Sequence, residues 1–200
     1  QNGLWENHSI EEVATPQAYE RDPALVHRFY NLRREQLNQV EPNSAHIAIG
    51  ELSKSEKYNV CVITQNVDDL HERGGATKIL HMHGELRKIR NNHTGQIKYF
   101  EGQVEEADYE IWRPDIVWFG EAIKCGDEIP EVIEQADLYI TVGTSSQVYP
   151  AAGLVGLANK YGVATIEINL ERTNMSSSYH ENFWGKAGEI VPEFIEKYLK

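Results

Sequence analysis

The sequence predicts an α/β fold: a Rossmann-like parallel sheet with flanking helices, carrying a small inserted module. Three observations carry this expectation. Runs of β-formers at Tyr58–Thr64, Leu138–Val142 and Val163–Ile168 are separated by helical patterns, the spacing of a parallel sheet with crossover helices. Polar residues gather at the ends of those runs, where open α/β sheets bind ligands. Between His83 and Arg113 the composition shifts, and LRKIR and QIKYF flank the turn-rich NNHTG as in a hairpin.

The elements follow in order. Ser9 and Glu12 have the spacing of a capping box, and Asp22-Pro23 reads as an N-cap followed by an N1 proline. Helical periodicity then runs from Pro23 to about Val40, with Leu25, Phe29, Leu32 and Leu37 on or near one face. A second helix is expected from Ser44 to about Lys54. Tyr58–Thr64 reads as a buried strand, Val67–Arg73 as a short helix stopped by Gly74 and Gly75, and Lys78–Met82 as a second short strand. The hairpin module spans roughly Leu86–Trp112, with an acidic patch at Glu105–Asp108, and Arg113-Pro114 return the chain to the main body. Helical patterns follow at Ile129–Gln135, Pro150–Lys160 and Val191–Leu199. The expected organisation is a main domain of residues 1–85 and 113–200, with a helical segment at about 5–40 and the module at 86–112.

Composition excludes several function classes. The 200 residues suit one domain, or one with an insertion, and 40% hydrophobic content supplies a core. Lys+Arg 19 against Asp+Glu 31 gives −12, which argues against direct nucleic-acid binding because that needs a basic footprint. An acidic surface is compatible with lysine-bearing protein tails. Two cysteines, Cys61 and Cys125, form no disulfide framework and suit a reducing cytoplasm. No apolar run reaches membrane-spanning length, and no secretory signal is visible in these residues. Oligomeric state has no signal in the sequence.

The chemistry concentrates at Tyr58–Leu86. The first strand ends in Gln65, Asn66 and Asp68, and the second delivers His83, whose near-neutral imidazole makes it the candidate general base. Asn66 and Asp68 serve equally well as helix caps, and His83 as a structural hydrogen-bonding group. His81, two residues before His83, would share its strand face. No third ligand stands at metal spacing, so no metal is expected. Gly143-Thr144-Ser145 ends a strand and precedes a helix, so its N–H groups could approach phosphate or ribose, although any tight turn uses such residues. Tyr30 and Arg33, three apart on one helix, could grip a carboxylate, or Arg33 could belong to a solvated face with Arg34 and Glu35.

TQNVDDLHERGG followed by HMHGEL resembles the sirtuin family of NAD-dependent protein deacylases. The resemblance continues in RPDIVWFGE, VGTSSQVYPAAGL and INLE, covers nearly the whole chain, and is nearest to bacterial members. It implies NAD as cofactor and acyl-lysine proteins or peptides as partners. The acyl-lysine oxygen attacks the ribose carbon bearing nicotinamide, and His83 helps deprotonate a ribose hydroxyl. The products are nicotinamide, free lysine and 2′-O-acyl-ADP-ribose. By the same resemblance, Gln65, Asn66, Asp68, Gly143, Thr144 and Ser145 bind the cofactor. Asn169 and Glu171 hold the adenosine ribose, and Ala187 lines the adenine. Val117, Trp118, Phe119, Gly120 and Glu121 form an extended substrate segment and tunnel wall, joined by Val148, while Val117–Phe119 would also suit a core strand. FYNLRR matches the subgroup that removes succinyl and malonyl groups through a Tyr-x-x-Arg pair, Tyr30 and Arg33 here.

The chain departs from that family in two respects. Leu86–Trp112 contains no cysteine, so the family's four-cysteine zinc site is not expected and hairpin packing must hold the module. The glycine-rich pyrophosphate loop and its central strand would precede QNGLW, so the expectation is that the natural protein continues upstream and this sequence is truncated. Two other functions compete: an NAD glycohydrolase or ADP-ribosyltransferase, and a non-catalytic nucleotide-binding protein, against which His83 argues.

Overall fold

The computed structural model describes residues 8–199. Its first elements are α1 (Ile10–Val13), α2 (Pro16–Arg21), α3 (Pro23–Leu37), α4 (Ser44–Ser53), β1 (Val62–Thr64), α5 (Leu70–Arg73), β2 (Ile79–His81) and β3 (Gly84–Asn91). There follow β4 (Ile97–Tyr99), β5 (Trp112–Ile116), α6 (Glu128–Glu134), β6 (Leu138–Val142), α7 (Leu154–Lys160), β7 (Ala164–Asn169), β8 (Glu181–Trp184) and α8 (Ala187–Phe194). The chain divides into two compact units. The first holds the described residues up to Glu41 with Thr64–Asp69 and His81–Lys124; the second holds Pro42–Ile63, Leu70–Leu80 and the chain from Cys125 on. Residues 5–7 of the expected helical segment lie outside the described residues.

In the first unit, short helices start where the sequence places caps. Ser9 N–H donates to Glu12 Oε2 at 2.8 Å, Thr15 Oγ1 accepts from Ala18 N at 3.0 Å, and Asp22 Oδ1 accepts from Leu25 N at 2.8 Å. The buried face of α3 is Val26, Phe29, Tyr30 and Leu37, which cluster with Val13, Ala18, Val67, Leu86, Ile116 and Trp118. Leu32, expected on that face, is 56% exposed, so the apolar stripe is rotated from the one expected.

Strands β4, β3 and β5 form an antiparallel sheet in that order. Arg113 and Pro114 sit within β5, opposite Arg90 and Ile89, so the sheet extends past the expected module limit at Trp112. β5 is an edge strand, which tolerates a proline without an N–H. Gly84, at φ +83°, meets the Asp115 carbonyl so closely that any Cβ would clash with backbone. Buried polar groups tie this module to α3. Arg34 Nε donates to Leu86 O at 2.8 Å and Nη1 to Gly102 O at 3.1 Å, and Asn31 exchanges 3.0 Å bonds with the backbone of Val104. Burial pulls the Arg34 pKa down to about 10.

The second unit contains the Rossmann-like sheet. β6, β7 and β8 run parallel, with Leu138 opposite Ala164 and Ile166 opposite Glu181. Ala45 of α4 and Val191 and Phe194 of α8 pack with Ile166 and Ile168 of β7. Gly74 could not carry a side chain, because its Cβ would lie 2.8 Å from the His46 carbonyl oxygen. β1 and β2 form a separate two-stranded sheet, so the single sheet of the sequence expectation is found in two hydrogen-bonded pieces. β1 covers only the last three residues of Tyr58–Thr64, and Val62 and Ile63 are half-buried rather than buried.

Candidate active site

The first unit presents the candidate base, His83. β2 ends at His81, and Met82–His83 form a turn before β3. Strand alternation therefore stops before His83, and the strand face expected to be shared with His81 does not form. His83 O accepts from Val117 N at 2.9 Å, which fixes the turn, and ring Nδ1 lies 3.1 Å from the Gln65 carbonyl oxygen. A carbonyl only accepts, so Nδ1 carries the hydrogen and Nε2 keeps its lone pair. Burial holds the His83 pKa below the ordinary 6.5, opposed by the bond to Gln65. The ring is thus neutral near pH 7, with its basic nitrogen at Nε2.

Gln65, Asn66 and Asp68 lie in a tight loop before α5 rather than on a helix beginning at Val67. Asn66 N donates to Thr64 Oγ1 at 3.0 Å, and Val67 turns into the core while its carbonyl accepts from Leu86 N at 2.7 Å. That anchoring leaves Asn66 exposed and Gln65 and Asp68 half-buried. Sequence reasoning passed over Asp69 as a site support. Its carboxylate takes a 2.6 Å bond from Arg87 Nε, and Arg87 Nη2 donates to Asn38 Oδ1 at 3.0 Å.

Val117–Glu121, expected as an extended substrate segment, is bent. Val117 follows β5, the chain turns at Phe119–Gly120, and Glu121 N bonds back to Trp118 O at 3.0 Å. Phe119 N donates to Ala14 O at 2.9 Å. Phe119 and Gly120 are exposed, Val117 is half-buried, and Trp118 is buried. Glu121 was expected as a substrate residue, but its carboxylate is engaged by Arg113 at 2.6 and 2.9 Å and by Trp118 N at 2.8 Å. Its carboxylate braces the turn. Tyr30 is fully buried, and its hydroxyl accepts from Trp118 Nε1 at 3.0 Å. Arg33 is half-buried, lies over the Phe29 ring and donates to Gln36 Oε1 at 2.8 Å. The two share a helix but not an open surface, because the ring of Tyr30 turns into the core.

The second unit presents the other candidate residues. Gly143 (φ 64°) and Ser146 (φ 55°) both take left-handed backbone in the loop after β6. Gly143 and Ser145 are exposed, and Thr144 is half-buried. No helix follows them directly: the chain stays irregular until Ala151, and the helix expected from Pro150 begins there as a single tight turn leading into α7. The loop is instead held from the neighbouring parallel strand: Asn169 Nδ2 donates to Thr144 O at 2.6 Å. Glu171 is exposed in the loop after β7, Val148 is exposed, and half-buried Ala187 is the first residue of α8. A cavity of about 500 Å³ along β8, lined by residues including Arg172, His180, Trp184 and Tyr198, contains none of these candidates.

The chain matches the family model described as the Sir2 family over residues 1–150. It is 46% identical over 207 residues to a protein of Pasteurella multocida (strain Pm70) named NAD-dependent protein deacylase, covering 99% of this chain and 88% of that one. Among solved structures it resembles a Sir2 homolog in complex with NAD, with TM-score 0.89, 36% identity, and coverage of 98% of this chain and 80% of the other. A mutant Sir2 homologue in complex with 2′-O-acetyl ADP ribose is also similar, with TM-score 0.88, 36% identity, and coverage of 98% and 82%. With a Rossmann-like sheet and a family match over three quarters of its length, this chain belongs to the Sir2 family.

Proposed function

We propose that this chain is an NAD-dependent protein lysine deacylase, removing acetyl groups and acidic acyl groups such as succinyl and malonyl, with His83 as general base. The observation that carries the reading is the bond between His83 Nδ1 and the Gln65 carbonyl, which leaves Nε2 as the basic nitrogen of an imidazole kept neutral by burial. The names of its relatives support the same reading.

The residues present fit a dinucleotide. A loop bent through two left-handed residues, at the ends of two adjacent parallel strands, suits close approach of backbone to phosphate or ribose. In this reading Gly143, Thr144 and Ser145 hold that part, Asn169 and Glu171 the adenosine ribose, and Ala187 the adenine. Gln65, Asn66 and Asp68 hold the nicotinamide ribose and carboxamide. NAD, when bound, would supply the glycosidic carbon that loses nicotinamide as the acyl oxygen bonds to it; attack of the ribose 2′-hydroxyl on the acyl carbon and uptake of one water then leave the acyl group on the 2′-oxygen and free the lysine. His83 accepts the ribose hydroxyl proton at Nε2, and the Gln65 carbonyl keeps the ring oriented as positive charge develops. Val117–Gly120 and Val148 line the acyl-lysine side, and Arg33 meets the carboxylate of an acidic acyl group. The Rossmann-like body serves NAD, and the helical segment with the hairpin module serves the peptide. Cys61 and Cys125, half-buried and joined in no disulfide, suit a cytoplasmic setting.

Mass spectrometry of acetyl- and succinyl-lysine peptides, with and without NAD, tests this reading. Free lysine and 2′-O-acyl-ADP-ribose should form only with NAD and vanish in His83→Tyr. Nicotinamide release without acyl-peptide would mean glycohydrolase activity, ADP-ribosylated protein would mean a transferase, and nucleotide binding without turnover would mean a non-catalytic binder. Arg33→Met should lower desuccinylation about a hundredfold and deacetylation far less, as expected for loss of a charged partner. Equal losses would remove the acidic-acyl part of the reading.

A further inference from the structure

We propose that Arg113 is a positioning residue for acyl-lysine recognition, which shapes the turn at Val117–Glu121 without itself reaching the peptide. The inference rests on the deacylase reading above. Arg113 is buried and grips both oxygens of Glu121, Nη1 to Oε1 at 2.6 Å and Nη2 to Oε2 at 2.9 Å. Nη2 also donates to Ile116 O at 3.0 Å, where β5 gives way to the turn. The guanidinium carbon lies 3.4 Å from the centroid of the Trp118 ring. Glu121 Oε2 accepts the Trp118 backbone N–H at 2.8 Å, and at the far edge of the indole Nε1 donates to Tyr30 Oη at 3.0 Å.

Trp118 is therefore held by its face, its main chain and its edge, while Phe119 and Gly120 beside it are exposed. Packing alone does not call for this arrangement. A largely buried ion pair gains little over apolar residues of the same volume, because both charges must leave water. Arg113 Nε, moreover, is buried with no hydrogen-bond partner among the described residues, a standing cost. What the fork supplies is geometry. Two parallel N–H···O bonds fix the carboxylate in a plane, and through it the backbone that presents Phe119 and Gly120. Substrate recognition on a turn needs that kind of support from behind.

The test uses Arg113→Lys, which keeps the charge and loses the fork, and Glu121→Gln, which keeps the shape and loses the charge. Steady-state kinetics vary acetyl-peptide and NAD separately, and hydrogen exchange follows residues 117–121 against β3 and β4. In both variants KM for the peptide should rise about tenfold and KM for NAD by less than about twofold, with faster exchange confined to 117–121. KM values that rise together, or exchange that quickens across β3 and β4, would overturn the proposal and leave Arg113 as a sheet residue. If Arg113→Lys does not fold, Glu121→Gln decides on the same readouts. A wild-type chain inert toward acyl-peptide and NAD sinks the deacylase reading and this inference together; an active wild type with coupled KM changes sinks the inference alone.

Discussion

The two units handle their candidate residues in opposite ways. In the first unit the supports of the candidate base and of the turn are buried or half-buried and bound to one another: Gln65 holds the His83 ring, Arg113 holds Glu121 at the turn, and Arg87 holds Asp69. After β6, Gly143 and Ser145 are exposed with Thr144 half-buried between them, and a side-chain amide, Asn169, ties the loop down. Enclosure shifts pKa values and fixes angles, which proton transfer requires. An exposed loop with available backbone can close on a ligand after it arrives. In the proposed function, this contrast places proton transfer in the first unit and, apart from Gln65, Asn66 and Asp68, the nucleotide contacts in the second.

The sharpest way to break that assignment is at His83. Replacing it by Asn removes the base and should lower kcat between a hundredfold and ten-thousandfold, with KM for NAD little changed. Wild-type kcat/KM should stay level down to pH 6.5 and fall only at lower pH, with a slope of one. The sign follows from the depressed pKa: burial favours the neutral ring, so the active form persists somewhat below the ordinary 6.5 before protonation removes it. An acid limb that begins well above pH 7 would contradict the enclosed site.

Enclosure also makes the first unit acid-sensitive. His27 is fully buried, stacks on Tyr109 at 4.3 Å, and has Nε2 3.2 Å from the Tyr109 carbonyl. Its Nδ1 has no partner among the described residues. Desolvation brings its pKa down to about 4, and nearby Arg34 pushes the same way. The folded pKa lies below the unfolded value of 6.5, so stability is intact above 6.5. It is lost as pH falls toward 4, by on the order of 3 kcal/mol once below both values. His27→Gln, which cannot titrate, should flatten that part of the Tm–pH curve, and an unchanged curve would show that His27 does not carry the effect.

Much of the second unit was legible because its signals are local. Leu138–Val142 alternates with helical segments just as crossover strands do, and the sequence reading matches β6 residue for residue. Glu181–Trp184 escaped notice because an edge strand reading Glu-Asn-Phe-Trp has no apolar alternation to betray it. In the first unit the caps at Ser9 and Asp22 were readable, while the supports of the site were not. Arg113 and Glu121 meet across eight positions only because the chain turns at Phe119–Gly120. Tyr30 has the right spacing to join Arg33, but spacing does not say that its hydroxyl faces Trp118. Pro114 argues against a strand until β5 proves to be an edge.

The smallest expected effect tests the exposed side of the contrast. Asn169→Ala deletes the donor to Thr144 O and also frees Glu167 Oε1, 3.3 Å from the same amide. Glu167 is buried, but Thr173 Oγ1 still donates to it at 3.1 Å, so the strand should survive the change. The loop at 143–146 would lose its tether and spend part of its time away from the binding shape. Apparent affinity falls in proportion to the fraction that remains competent. One lost hydrogen bond of about 1 kcal/mol corresponds to a rise of roughly five- to tenfold in KM for NAD, with kcat and the peptide KM nearly constant. Calorimetric titration with ADP-ribose should show the same factor. If Asn169→Ala instead lowers kcat at saturating NAD, the exposed loop takes part in the chemical step, and the division of labour between the two units fails.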